Sequence, residues 1–347
     1  MLALRWHDRL DIRLERVEVP CLSDPADVLL AVEACGICGT DIEEWREGPL
    51  AIPIERVSGN TPITLGHEFC GRIVIAGGET PFHPGQLVAV EVNIPCGGCM
   101  ACRDGRTNNC PFIVALGLQD DGGLAEYVVV PASSCVAVDS AVDPRVLAFA
   151  EPLAVGVHAI SRVELREDDD VAVFGAGAVG ILLALLLRSQ GCAVVVVESS
   201  AKRRDTARQL GFEVRDSEPL GLEDGSPRQF DVCFEATGNP GAVRDALKVT
   251  RQGGKIVLLG VSNQDLGISQ WSLVEREVSL ISSKSHTMED FGGAVQRLVS
   301  GEIDVASLPI GEFALSDALV AFEGAVSRPD DYLKRMMVAP PIVASNE

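Results

Sequence analysis

Two hydrophobic textures divide the chain. Up to about residue 150, short runs of alternating apolar and polar positions, "DVLLAVEAC", "CGRIVIAGG", "QLVAVEV" and "AEYVVVPA", are broken by Gly and Pro. A period of two buries one face of a strand, so this part reads as strand-rich with long loops. From about Arg145 the apolar runs "VAVFG", "AVVVVE", "DVCFEATG" and "KIVLLG" alternate with segments of helical character near 178–190, 201–210 and 240–250. That alternation predicts an α/β domain, a parallel sheet covered by helices on both faces. After about Asp290 the pattern turns mixed, with one helix predicted at "FGGAVQRLVSG". The acidic run "REDDD" (Arg166–Asp170) reads as a solvated turn into the first parallel strand.

Length and charge narrow the function classes. A chain of 347 residues calls for two domains. Its 47% hydrophobic and 23% charged residues are ordinary for a soluble globular protein. With 29 Lys plus Arg against 50 Asp plus Glu, the net charge is −21. Such a surface repels phosphate backbones and anionic headgroups, so neither nucleic acid nor membrane is expected as a partner. The longest aliphatic run, "ILLALLL" (Ile181–Leu187), falls far short of the roughly 20 residues that cross a bilayer. "MLALRWHDRL" lacks the apolar stretch of a signal peptide, and the cytoplasm is the expected compartment. Four of the 11 cysteines crowd into Cys96–Cys110, which in a cytoplasmic chain favours metal over disulfides.

"VAVFGAGAVG" sets Gly175, Gly177 and Gly180 directly after a strand and at the mouth of a strongly apolar helix. The first glycine permits the tight turn, the second lets backbone approach a pyrophosphate, and the third lets helix and sheet pack closely. Ala178 and Val179 complete the turn, and the pyrophosphate meets the positive end of the helix. Glu198 ends the next strand, 18 residues after Gly180. A carboxylate there accepts from ribose hydroxyls and repels a 2′-phosphate, favouring NAD over NADP. Lys202, Arg203 and Arg204 follow closely and offer charge to a phosphate, Arg203 being counted with the cofactor. Gly260 and Val261, at the end of "KIVLLG", join the same set.

The segment "CGGCMACRDGRTNNC" is a C-x2-C-x2-C-x7-C array of Cys96, Cys99, Cys102 and Cys110. Gly97 and Gly98 leave its backbone free to coil around one ion. Four thiolates close the shell of a tetrahedral zinc, so this site is structural, in a lobe over about residues 93–113. Other ligand types are scattered: Cys38 in "CGICGTDIEEW", His67 and Glu68 in "LGHEF", and Glu151 in "AEPLAV". Spacing alone leaves open whether these four meet at a second metal.

GHE, the four-cysteine lobe, "GGLAEYVVVP", EPLAV and GAGAVG, in this order, resemble the zinc-dependent medium-chain dehydrogenases over nearly the whole chain. Within them, "GPLAIPIERVSGNTPITLGHEFCGRIV" together with Glu151 resembles the polyol and 2,3-butanediol branch, with threonine dehydrogenases a little further off. The resemblance implies a GroES-like β-rich catalytic domain (1–152 and 290–347) interrupted by a Rossmann domain (153–289). It also implies two zinc ions per chain and a homodimer or homotetramer joined through the edge of the Rossmann sheet.

Carried over by position, the resemblance makes Cys38 and His67 ligands of a catalytic zinc, with Glu68 and Glu151 competing for or sharing the third place. One thiolate, one imidazole and one carboxylate leave Zn²⁺ neutral with a position open; a second carboxylate would weaken it as a Lewis acid and fill that position. Exchange between the two glutamates is therefore expected. Asp41 matches the acid that orients the imidazole of His67 through its other nitrogen. Thr40 matches the Ser or Thr that hands the alcohol proton onward.

Glu43 stands where the family commonly has a relaying histidine. A carboxylate, with an ordinary pKa of roughly 4.3, accepts protons poorly at neutral pH unless burial or a neighbouring acid such as Glu44 raises it. The alternatives are that Glu43 faces solvent or binds a polar substrate group. Lys284, Ser285 and His286 fall where related enzymes bring a segment to the nicotinamide. Cys35 and Cys70 read as small buried hydrophobes, His158 as structural, and His7 and His83 as surface residues.

The expected activity is oxidation of a secondary alcohol, a vicinal diol, polyol or sugar alcohol, with a threonine-type amino alcohol as the alternative. A nucleotide-binding structural or sensing module is the reading from another class. Retention of Cys38, His67, Glu151 and Thr40 opposes it, and a dead scaffold would hold one zinc per chain where the enzyme holds two.

Overall fold

A computed structural model describes residues 1–53, 62–217 and 228–340. The stretch of the branch-like run at residues 54–61 lies outside them, as do 218–227 and 341–347. Two compact units emerge: Met1–Glu151 with Thr287–Glu347, and Pro152–His286.

The first unit is built of strands. β1 (Leu2–Asp8) pairs antiparallel with β2 (Asp11–Arg16) and β4 (Ile63–Thr64). The hub is β3 (Asp27–Ile37), whose apolar residues are buried along most of its length. It runs antiparallel to β5 (Glu68–Ala76), which in turn pairs with β6 (Leu87–Val90). A small ladder of β7 (Asn93–Ile94) and β8 (Val114–Ala115) closes the base of the cysteine lobe. β9 (Tyr127–Pro131) pairs with β3, and β10 (Cys135–Val138) with β6. Trp6, Leu30, Ile63, Leu65, Phe69 and Phe322 belong to one buried core beneath these strands.

The second unit holds β11 (Asp170–Phe174), β12 (Ala193–Val197), β13 (Glu213–Arg215), β14 (Phe230–Glu235), β15 (Thr250–Leu258) and β16 (Ser279–Ser282). Every pair is parallel and the order is β13-β12-β11-β14-β15-β16, the doubly wound order of a dinucleotide-binding sheet. The predicted helices form at Ala178–Ser189, Ala201–Gln209 and Pro240–Val249. In the first, Ile181 to Leu187 are all buried, which is why that run is apolar all round. One expectation fails in part: the acidic run before β11 is not merely solvated. Asp169 is buried and accepts from Arg166 N at 2.9 Å, while Asp170 pairs with Arg228 at 2.9 Å.

The chain then returns to the first unit. β17 (Ile310–Phe313) lies parallel to β18 (Lys334–Val338), and β18 pairs antiparallel with β3. β3 therefore runs between β5 and β18, with Gly36 opposite Glu68 on one side and Met336 on the other. The ladder register thus carries Cys38, Glu68 and Lys334, far apart in sequence, to one end of the sheet.

Candidate metal and dinucleotide sites

Where β3 ends, Cys38 caps the helix α1 (Gly39–Glu47). Its backbone N–H donates to Asp41 Oδ2 at 2.8 Å, so the turn that presents the thiol is fixed by a buried carboxylate. The other oxygen, Oδ1, stands 3.3 Å from His67 Nδ1, an ion-pair contact without hydrogen-bond alignment. His67 enters just before β5 and is buried. Burial disfavours its charged form, but Asp41 and then Cys38 outweigh it, and the imidazole holds its proton well above the ordinary pKa. Cys38 Sγ lies 3.7 Å from Thr40 Oγ1.

Cys38, His67 and Glu68 each bring one ligand atom within 4.8 Å of the others. Bonds of about 2.0–2.3 Å to one tetrahedral ion set its ligand atoms roughly 3.3–3.8 Å apart, a separation within that bound, and S, N and O donors suit zinc. These three residues fit the metal. Glu151 lies in the first turn of the helix Ala150–Ser161 and is not part of that group.

Sequence reasoning missed Lys334. Its Nζ donates to both Glu68 oxygens at 2.7 Å and to Ile37 O at 3.3 Å, with both side chains buried. Burial alone would drive the ammonium pKa down; Glu68 foremost, then Cys38 and Glu151, carry it above the ordinary value instead. The signal was the one charge pair in an otherwise apolar strand, "KRMMV".

The acid pair after the cysteines is split by the helix. Residues three apart share a face, so Asp41 and Glu44 point inward while Thr40, Glu43 and Glu47 follow the other side. Glu44 is fully buried, and its carboxylate accepts from the backbone N–H groups of Leu50, Ala51 and Ile52 at 2.7, 2.9 and 3.2 Å. It anchors the following loop instead of pairing with Glu43. Glu43 is exposed, and its pKa is raised by partial burial first, then by Glu47, with Glu44 contributing least.

In the lobe, the sulfurs of Cys96, Cys99, Cys102 and Cys110 lie within 4.8 Å of one another. Cys110 Sγ accepts from Cys96 N and Phe112 N, each at 3.4 Å. Gly97, at φ +70°, makes the left-handed turn inside the first C-x2-C, and Gly98 is not in that region. The backbone N–H groups of Gly98 and Cys99 pull the Cys96 thiol down to about 7, whereas Cys102 is pushed up by burial and the neighbouring sulfurs. Four thiols this close resist ionising together; a divalent cation supplies the charge that lets them, so the lobe fits zinc.

In the second unit Gly175 takes φ +105°, and a Cβ on Gly180 would stand 2.0 Å from Gly175 O, so neither tolerates a side chain. At Gly177 the nearest atom to an added Cβ is Arg203 Nη1, at 3.9 Å. Gly177 caps the helix Ala178–Ser189 without a side-chain bond to its N–H groups, which suits an incoming pyrophosphate. Val179 lies in the first turn of that helix. Glu198 Oε2 accepts from Ala176 N at 2.8 Å and Oε1 from Ser200 N at 2.8 Å, tying β12 to the glycine turn. Arg204 spends its guanidinium on the carbonyls of Glu198 and Ser199 and on Asp216. Gly260 is pressed against Gly238, where a Cβ would stand 2.0 Å from Gly238 N, and Val261 is 82% exposed.

The weaker candidates sort plainly. Cys35 and Cys70 are wholly buried, and burial pushes both thiols up. His158 is buried on its helix and His83 is exposed. His7, expected at the surface, is half-buried against Glu15 at 3.1 Å. Lys284 is exposed, Ser285 adopts φ +51°, and His286 is buried.

Comparison with known proteins adds a family. The description "Alcohol dehydrogenase GroES-like domain" matches residues 24–140, and "Zinc-binding dehydrogenase" matches residues 178–300. L-galactonate-5-dehydrogenase of Escherichia coli is 32% identical over 293 residues, covering 82% of this chain and 84% of its own. A protein described as a zinc-binding dehydrogenase of Sinorhizobium meliloti, bound to NADP, superposes at TM-score 0.88 with 29% identity, over 97% of this chain and 99% of that one. The 2R,3R-butanediol dehydrogenase of Bacillus subtilis does so at 0.87 with 28% identity, over 98% and 99%. No described helix is long and apolar enough to cross a membrane.

Proposed function

The chain belongs to the zinc-dependent medium-chain alcohol dehydrogenases, and from that premise we propose that it oxidises a secondary alcohol of a polyol, vicinal diol or sugar alcohol to a ketone with NAD. One observation carries the proposal: Cys38, His67 and Glu68 converge within 4.8 Å beside Thr40 and Asp41. When bound, zinc supplies Lewis acidity to a hydroxyl oxygen, and the dinucleotide supplies a hydride acceptor.

This chain's own residues do the rest. Asp41 fixes the Cys38 backbone by a hydrogen bond and stands as an ion-pair partner beside the His67 ring, so one buried carboxylate serves both the thiol and the imidazole. Glu68 is the carboxylate already within reach, and Glu151 is the second candidate for the third protein ligand. Thr40 Oγ1, beside the cysteine sulfur, accepts the substrate's hydroxyl proton and passes it outward. Glu198, held by Ala176 N and Ser200 N, keeps acceptor capacity for a ribose hydroxyl; this supports NAD over NADP. The parallel edge strand β16, with Trp271 69% exposed nearby in sequence, supports self-association into a dimer or tetramer.

The test is NADH formation across neutral polyols, vicinal diols, aldonates and amino alcohols, with NADP in parallel and zinc counted per chain. Two zincs and turnover of at least one alcohol are expected. One zinc with no turnover of any member would overturn the proposal.

Glu43 is the outward proton acceptor, one turn beyond Thr40 on the same face of α1. Its pKa is raised by partial burial and by Glu47, so the acidic limb of the pH–rate profile should lie above the ordinary glutamate value. Below that pKa Glu43 is protonated and accepts nothing, so the rate falls as pH drops. Glu43→Gln should remove this limb; an unchanged profile takes Glu43 out of the relay.

A further inference from the structure

Glu235 ends β14 with a buried carboxylate that no step above uses. Its Oε1 accepts from Thr237 N at 2.6 Å and from the Thr237 hydroxyl, and its Oε2 accepts from Gly238 N at 3.3 Å. The Thr237 oxygen in turn accepts from Asn239 N at 2.9 Å, and Asn239 caps the helix Pro240–Val249. Main-chain bonds add the next strand, since Leu259 N and Gly260 N donate to Glu235 O at 2.8 and 2.9 Å. Burial raises the pKa of this carboxylate, while the donors of Thr237, Gly238 and Asn239 work against burial and favour the ionised form.

The strand order reverses between β11 and β14, and in open α/β sheets that reversal opens the crevice a ligand occupies. Gly175 follows β11 and Thr237 follows β14; a Cβ on Gly175 would stand 2.9 Å from the Thr237 methyl. On the other flank, a Cβ on Gly238 would lie 2.5 Å from Val261 O, and one on Gly260 would lie 2.7 Å from Glu235 Oε2. Thr237 is exposed, whereas Glu235 beneath it is 1% exposed. We propose that Glu235 is a positioning residue for the dinucleotide: through the Thr237 hydroxyl it holds the loop after β14 between Gly175 and Gly260, and so sets the crevice in which the cofactor lies. Without that anchor the loop spends only part of its time in the binding arrangement, and the apparent Kd rises by the reciprocal of that fraction. The inference rests on the dinucleotide reading given above.

The measurement is a fluorescence titration of the full zinc-loaded chain with NADH and NADPH, beside ligand-free denaturant midpoints. Both oxygens of Glu235 face N–H donors, so the amide of Glu235→Gln sets a donor against one of them whichever way it turns. Its Kd for the dinucleotide should rise about tenfold, as expected when the competent loop is populated about a tenth of the time. KM for the dinucleotide should follow Kd, with kcat at saturation little altered. Thr237→Val, which removes the hydroxyl and keeps the methyl, should do the same; Thr237→Ser, which keeps the hydroxyl, should hold the wild-type Kd. The hydroxyl acts only through the carboxylate, so the double variant Glu235→Gln with Thr237→Val should bind no more weakly than Glu235→Gln alone.

A lowered denaturant midpoint with an unchanged Kd in Glu235→Gln overturns the proposal, because the carboxylate then supports the fold and not the crevice. So does a double variant in which the two losses multiply to about a hundredfold, since independent sites add in free energy. Weakened binding in Thr237→Ser equal to that in Thr237→Val also overturns it, the hydroxyl then being irrelevant. If Glu235→Gln does not fold, Thr237→Val decides, with the carboxylate still in place: a raised Kd supports the proposal and an unchanged one overturns it. Wild-type protein that binds neither NADH nor NADPH would instead sink the dinucleotide reading, so the two failures are distinct.

Discussion

His67→Ala and Cys38→Ser should each lower kcat/KM by about a thousandfold while the chain stays folded and keeps one of its two zincs. The size follows from what a Lewis acid contributes. Polarising a hydroxyl oxygen stabilises the transition state by several kcal/mol, and about 4 kcal/mol corresponds to roughly three powers of ten. Both residues sit at the end of one sheet, His67 entering β5 and Cys38 leaving β3, so neither variant removes a core side chain. His67→Ala also leaves Asp41 as a buried carboxylate facing a void, which weakens the local turn; Cys38→Ser does not. Their activities should fall alike even if their stabilities differ. Metal analysis beside steady-state kinetics decides: two retained zincs, or a loss under tenfold, would mean that the cluster is not the reacting centre.

Much of this architecture was legible in the sequence because its signals are local. The three glycines of "GAGAVG" follow a strand and open a helix, and backbone conformation or a neighbouring atom demands the first and the third, while the second stays open for a ligand. The four cysteines lie within fifteen residues, a spacing that a single turn and a short return loop can close. The split of Glu43 from Glu44 was also within reach, since a helical period puts Asp41 and Glu44 on one face and Glu43 with Glu47 on another. What the sequence hid is long-range. Lys334 meets Glu68 only because β3 pairs with β5 on one edge and β18 on the other, and ladder register is set by the whole sheet. The partners of Glu44 are backbone N–H groups, which carry no residue identity to read.

Glu44 also bears the largest stability effect expected of a single surface-adjacent helix. Its carboxylate gathers three backbone N–H groups of the loop after α1, from Leu50, Ala51 and Ile52, while its own carbonyl accepts from Gly48 N and from the Trp6 indole. Hydrogen bonds to a charged group contribute about 1.5–3 kcal/mol each, but the first two donors are only partly buried and recover water when the acceptor is lost. Ile52 N is buried and recovers none. Glu44→Ala should therefore cost about 3 kcal/mol, less than the sum of three bonds. Glu44→Gln separates the oxygens: Oε1 serves Leu50 and Ile52, Oε2 serves Ala51. An amide keeps one acceptor and turns the other position into a donor facing Ala51 N, so about 1 kcal/mol should be lost, with the loop largely retained. Denaturant midpoints of the zinc-loaded protein measure both. The informative quantity is their order: if Gln proves as costly as Ala, the charge rather than the oxygen count holds the loop, and if both are silent, the loop is held by its packing alone.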